Sequence, residues 1–138
     1  MDIYIDGASK GNPGPAGIGV IICQDEYVLK NVSRFIGRAT NNVAEYTALI
    51  HGLQEALILK ADKLRVWTDS ELLCKQIKGE YKVRDVNLKT LFEQVKHLSA
   101  GFSSFEIQHI SRNSNRGADK LASQACLPPA CRQAGQAR

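Results

Sequence analysis

Four acidic residues stand where this chain could do chemistry: Asp6, Glu45, Asp69 and Asp119. Taken singly, each has an ordinary structural reading. Asp6 follows the alternating stretch Ile3-Tyr4-Ile5 and precedes a glycine, as turn formers do. Glu45 is placed for a capping box with Asn42 as the N-cap, and Asp69 for the N-cap of the segment SELL. Asp119 sits in the first turns of a helical pattern, where an acid meets the positive end of the helix dipole. Taken together they suggest something else. Glu45 shares a helix side with Ala48, Leu49, Gly52 and Ala56, small and apolar residues that let a helix lie close to a sheet. Its carboxylate then points inward, where an unpaired charge is costly. If the strands ending at Asp6 and Asp69 are neighbours, and the helices carrying Glu45 and Asp119 start at the same sheet edge, the four acids converge. Converging carboxylates repel one another unless divalent cations lie among them. An all-oxygen donor set suits Mg²⁺ or Mn²⁺ rather than zinc. Two such ions about 4 Å apart are a standard arrangement for hydrolysing a phosphodiester.

The elements that must position these acids can be read from periodicity. Strand-like stretches run from Asp2 to Asp6, from Gly17 to Cys23 and from about Tyr27 to Ile36, with QDE as a hairpin turn between the last two. The helix NNVAEYTALIHGLQEALILK follows, with Tyr46, Leu49, Ile50, Leu53 and Leu57 on one face. LRVWT reads as a strand and Ser70 to Ile77 as a helix. GEYKVRDVN is a basic connector, and NLKTLFEQVKHL is a helix with Leu88, Leu91, Phe92 and Val95 on one side. FSSFEIQHI is a strand and NRGADKLASQAC a last helix. The order βββαβααβα predicts an α/β domain over residues 1–126, a mixed five-stranded sheet with three antiparallel strands, then two parallel, and helices on both faces. In such sheets functional groups gather at the carboxyl ends of parallel strands. Residues 127–138, LPPACRQAGQAR, are expected to be a frayed tail.

Composition narrows the class. The chain has 138 residues, 43% of them hydrophobic and 23% charged, enough for one domain with its own core. A net charge of +4 permits a polyanionic partner without requiring one. No apolar run approaches the ~20 residues of a membrane span. Acidic Asp2 and Asp6 occupy the region where a signal peptide is basic. Cys23, Cys74, Cys126 and Cys131 form no C-x-x-C pair, which disfavours zinc and a disulfide framework and fits a reducing cytoplasm. The loop GASKGNPGPAG lacks the G-K-[ST] ending of a P-loop, and a strand rather than a helix follows it. It is therefore expected to connect a hairpin, and no dinucleotide cofactor is expected.

DGASKGNPGPAG, TNNVAEYTAL, WTDSELL and HISRNSNRGADKLA, in that order, resemble ribonuclease H of type 1 over about residues 1 to 126. The resemblance implies an endonuclease that cuts the RNA strand of an RNA–DNA hybrid with Mg²⁺, leaving 5′-phosphate and 3′-hydroxyl ends. It puts the family's catalytic, metal-holding acids on Asp6, Glu45, Asp69 and Asp119. Hybrid-binding residues fall on Gly11, Asn12, Asn41 and Asn42, with Thr40 near the DNA phosphates. The family's mobile histidine, which assists proton transfer or product release, falls on His109. His109 shares strand parity with Phe105 and Ile107, so a hydrogen-bonded strand-end histidine is the alternative, and Arg112 is a candidate for part of its task. His51 and His97 lie in helix patterns and read as structural or solvated.

The chain departs from the familiar bacterial pattern, in which a long basic insertion with its own helix lies between the third and fourth helices. Only GEYKVRDVN stands here, so Lys82, with Lys75, Lys78 and Arg84, is expected to form a reduced basic grip on phosphates. The strand carrying Asp6 begins at residue 2, so no separate hybrid-binding domain is expected ahead of it. A monomer is expected. Two alternative functions share this pattern: a hybrid-binding module without catalysis, and a related nuclease acting on double-stranded RNA or DNA junctions.

Overall fold

The computed structural model describes residues 1–126, so the expected tail at 127–138 lies outside the described residues. Five strands form one sheet: β1 (Asp2–Ser9), β2 (Gly14–Gln24), β3 (Tyr27–Ala39), β4 (Lys63–Thr68) and β5 (Ser104–His109), in spatial order β3-β2-β1-β4-β5. The β1–β2 and β2–β3 pairs are antiparallel, and β1–β4 and β4–β5 are parallel. The helices are α1 (Asn41–Ile58), α2 (Glu71–Lys78), α3 (Val86–Ser99) and α4 (Arg116–Ala125), with a 3₁₀ turn at Arg112–Asn115. This is the mixed sheet and element order expected. Among the described residues no helix is long and apolar enough to cross a membrane.

The hairpins are longer than their residue types suggest. β2 begins at Gly14 and β3 continues to Ala39, joined through Pro15↔Arg38 and Ala16↔Gly37. Glycine and proline read as turn residues, yet the ladder passes through them, with a register shift at Ala16/Gly17. β1 likewise runs past Asp6, pairing with β2 as far as Ser9↔Ala16, while its pairing with β4 stops at Ile5↔Thr68. Asp6 therefore does not end its strand. It sits where the sheet splits, with one neighbour strand continuing and the other departing into α2. A split of this kind exposes the carboxyl ends of two parallel strands to a common crevice.

Both faces are covered, and glycines set how closely. On one face α1 buries Ala44, Tyr46, Ala48, Leu49, Gly52, Leu53 and Ala56, packing on Ile3, Ile5, Ile18, Val20 and Ile22. A Cβ on Gly7 would lie 2.3 Å from the carbonyl carbon of Ala44, so the start of α1 rests directly on the β1 backbone. On the other face α4 rests on β2, where a Cβ on Gly19 would lie 2.2 Å from the Ala118 carbonyl oxygen. Leu73 and Cys74 of α2 join the same core, as do Leu88 and Val95 of α3, with Leu91 and Phe92 half-buried against it. Each large aliphatic side chain so buried contributes roughly 1.5–3 kcal/mol. Cys74 and Cys126 are buried free thiols, Cys23 is half-buried, and Cys131 lies outside the described residues.

Candidate active site at the split in the sheet

Thr40, not Asn42, caps α1: its hydroxyl accepts from Val43 N at 3.2 Å. The cap is two residues earlier than the capping-box reading requires, so Glu45 lies too far along the helix to be its partner. Instead Glu45 Oε2 accepts the Gly7 backbone N–H at 3.2 Å, across the contact that glycine permits. Ser70, not Asp69, caps α2, accepting from Leu73 N at 3.2 Å. Both acids are thereby released from the structural tasks that were their alternatives. Oxygens of Asp6, Glu45 and Asp69 come within 4.8 Å of one another. Asp119, in the first turn of α4, lines the same cleft of about 500 Å³ but stands outside this tight group. Its Oδ1 lies 3.5 Å from Arg112 Nη2.

The electrostatics of this group are those of a crowded, half-dry acid cluster. Burial, then the negative charge of Asp69, then contact with Asp119 push the Asp6 carboxyl up to about 8. Burial and the charges of Asp6 and Asp69 likewise raise Glu45 well above the usual carboxylate range, against the bond from Gly7 N–H. Three facing carboxyls cannot all be ionised in such a place without a compensating positive charge. An all-oxygen donor set this crowded fits a hard divalent cation, and Asp6, Glu45 and Asp69 are the residues that fit it.

The flanking residues fall into two groups. The loop from Ser9 to Gly14 is tied to the start of α1: Asn12 Oδ1 accepts from Asn41 N at 3.1 Å, and the Ser9 hydroxyl donates to the carbonyls of Ala39, at 2.8 Å, and Gly11. Gly11 has φ +109°, a backbone shape that favours glycine. Gly11, Asn12, Asn41 and Asn42 are exposed beside the cleft, with Thr40 half-buried behind them. Lys10, Asn41 and Arg112 line the cleft itself.

His109 belongs to the second group. It is exposed at the end of β5, opposite Thr68 in the ladder, and outside the cleft lining. Its charge adds to that of Lys75 in holding the Glu71 carboxyl down, the Lys75 contact being the larger cause. No side-chain hydrogen bond to His109 is present among the described residues. Lys82 is exposed in the connector between α2 and α3. Lys75 is engaged locally, 3.0 Å from Glu71 and 3.3 Å from the Tyr81 hydroxyl.

One residue escaped the sequence reading. Asn115, 1% exposed, donates from Nδ2 to the Ile5 carbonyl at 2.8 Å and to Asp69 Oδ2 at 3.4 Å. In the string SRNSNRGAD it is one polar residue among several, and nothing in its spacing marks it as buried.

The split sheet and its acids define a class, and residues 4–125 match the family model described as reverse transcriptase-like. The chain is 42% identical over 125 residues to the bifunctional protein Rv2228c of Mycobacterium tuberculosis, covering 89% of this chain and 34% of that protein. It is 41% identical to ribonuclease HI of Halobacterium salinarum, covering 88% of this chain and 62% of that enzyme. The crystal structure of LC11-RNase H1 in complex with an RNA/DNA hybrid aligns with a TM-score of 0.86 at 39% identity, over 91% of this chain and 95% of that one. The chain belongs to the ribonuclease H family, type 1. It spans about a third of the mycobacterial relative and under two thirds of the halobacterial one.

Proposed function

We propose that this protein is an endonuclease that hydrolyses the RNA strand of RNA–DNA hybrids, giving 5′-phosphate and 3′-hydroxyl ends. The observation that carries this reading is the approach of Asp6, Glu45 and Asp69 within 4.8 Å at the split between β1 and β4. Family membership supplies the substrate class, and the relative solved with an RNA/DNA hybrid supports it. Asp6, Glu45 and Asp69, with Asp119 beside them, would hold Mg²⁺ or Mn²⁺, two ions per site. Bound there, the metal supplies Lewis-acid stabilisation of charge on the phosphate oxygens and makes water a better nucleophile at neutral pH.

The chain's own groups do the rest. A hybrid is distinguished from DNA by its 2′-hydroxyls and groove shape. Asn41 and Asn42, in the exposed first turn of α1, offer amides to sugars and base edges, and Gly11 lets backbone approach the duplex. Asn12 has its carbonyl oxygen engaged by Asn41 N–H. Its amide nitrogen is the atom it offers to the substrate. Thr40, as the α1 cap, orients this surface and lies by the DNA strand. Arg112 brings a guanidinium to the cleft beside Asp119, where it holds a phosphate, and Lys82 adds longer-range attraction. His109, exposed nearby, serves proton transfer or product release from outside the cleft. The protein works as a monomer in the cytoplasm under this reading.

The decisive test is cleavage of a hybrid, duplex RNA and duplex DNA of one sequence, in one buffer with Mg²⁺. Cutting confined to the RNA strand of the hybrid is expected. Equal cutting of duplex RNA, or tight hybrid binding with no turnover in Mg²⁺ or Mn²⁺, would refute the assignment. Asp6→Asn and Asp69→Asn should each abolish cleavage.

A further inference from the structure

Asn115 sits in the 3₁₀ turn before α4 and reaches two elements at once. Its Nδ2 is bonded to the carbonyl of Ile5, the residue preceding Asp6, and lies 3.4 Å from Oδ2 of Asp69. Both partners are acceptors, so chemistry alone fixes the amide with nitrogen facing them. These contacts bridge the place where the β1–β4 ladder ends at Ile5↔Thr68, immediately before Asp6 and Asp69 diverge. No further backbone pairing holds the two strands together beyond that point. The other end of the same amide, Oδ1, is buried and without a hydrogen-bond partner among the described residues. An unsatisfied buried acceptor costs about 1–3 kcal/mol, so an apolar residue of the same shape would escape that penalty. An amide buried between two elements in this way is placed to fix their spacing.

We propose that Asn115 is a positioning residue: it spans the split in the sheet and sets the separation of Asp6 and Asp69 that a divalent cation requires. The inference rests on the metal-dependent reading above, and extends it to a residue that touches neither metal nor substrate. Groups that orient metal ligands from behind matter to affinity nearly as much as the ligands themselves, and removing one weakens binding by about 10–100-fold.

The test compares wild type with Asn115→Leu, close in shape, and with Asn115→Ala. Mg²⁺ binding is measured by calorimetry, thermal melting without metal, and steady-state cleavage over a range of Mg²⁺ concentrations. In Asn115→Leu the lost Nδ2 bonds and the relieved Oδ1 oppose each other, so melting should move by only a few degrees. Mg²⁺ binding should weaken by about tenfold or more. kcat should fall at low Mg²⁺ and recover at high Mg²⁺, with KM for the hybrid unchanged. A purely structural residue would lower melting and leave Mg²⁺ affinity alone. That result, or wild-type Mg²⁺ affinity in both variants, overturns the proposal. A wild type that binds no Mg²⁺ overturns it too. A wild type that binds Mg²⁺ without cutting a hybrid overturns the functional assignment alone, while the binding comparison still decides the role of Asn115.

Discussion

Asp6 is 4% exposed, with Asp69 and Asp119 as its neighbours, and its carboxyl is pushed up to about 8. In the unfolded chain the same group titrates near 4. Between those values the folded protein binds more protons than the unfolded one, so stability falls as pH rises. The metal-free protein is therefore most stable near pH 4 with respect to this group, loses that contribution towards pH 8, and levels off above it. Melting curves in chelator from pH 4 to 9 should show the decline, and saturating Mg²⁺ should flatten it, because the cation replaces the proton. A metal-free melting temperature that rises steadily from pH 5 to 8 would contradict the crowding. Asp6→Asn follows from the same physics. It removes one of the mutually repelling charges, so at pH 8 without metal it should raise stability on the order of 1 kcal/mol, a shift of a few degrees. The same substitution should eliminate both cleavage and stabilisation by Mg²⁺, a gain in stability purchased with function.

Those acids are brought together by contacts between elements that depend on what is missing from two residues. A Cβ on Gly7 would meet the α1 backbone at 2.3 Å, and one on Gly19 would meet Ala118 of α4 at 2.2 Å. Gly52, within α1, would place its Cβ 3.3 Å from the Ile3 Cγ2 atom, a contact that a side chain can relieve. Gly7→Ala and Gly19→Ala should each destabilise by about 1–3 kcal/mol or more, since backbone must move. Gly7→Ala should also cut activity beyond its effect on folding, because it pushes Glu45 away from the Gly7 N–H. Gly52→Ala should be mild by comparison, and denaturant melts of the three variants rank them directly. A milder effect at Gly7 than at Gly52 would sink this account. The same contrast explains what the sequence revealed. Periodicity exposed all nine strands and helices and put Asp6 in the first strand and Asp69 just after the fourth, because burial on one face imposes a repeat that residue types display. It did not reveal where β1 parts from β4, nor that Thr40 and Ser70 take the caps. Those depend on which of several adjacent polar residues meets the free N–H groups, and Asn42 and Asp69 were equally suitable by type. Asn115 was invisible for a related reason: its burial comes from the strand carbonyl it meets 110 positions away in the chain.

Across the whole molecule the charge is modest, +4, and one of the four cations of the expected basic grip, Lys75, is engaged locally. Lys75 is bound to Glu71 and Tyr81, and Lys30 to Glu55 at 2.7 Å. Lys10 and Arg112 line the cleft, and Lys82 and Arg84 stand exposed in the connector. The cations placed nearest to a duplex lying over the cleft are then these four, with Lys78 exposed at the end of α2. Affinity for a hybrid should consist of a small electrostatic part from these residues and a short-range part from Asn12, Asn41 and Asn42. Each phosphate neutralised contributes about −0.9 to the slope of log affinity against log salt for B-DNA, a fair guide for a hybrid. Binding measured with Ca²⁺ in place of Mg²⁺, to suppress cutting, should thus show a shallow slope of only a few units. Lys82→Ala should flatten that slope by about one and raise KM while sparing kcat, because it acts on encounter and not on the scissile phosphate. Lys75→Ala should change the slope less than Lys82→Ala, its charge being spent within α2 and on Tyr81. An equal or larger effect at Lys75 would mean that its local partners release it when the duplex arrives. Asn41→Ala should leave the slope unchanged and lower the preference for hybrid over duplex DNA, since an amide reads sugars and base edges without neutralising phosphate.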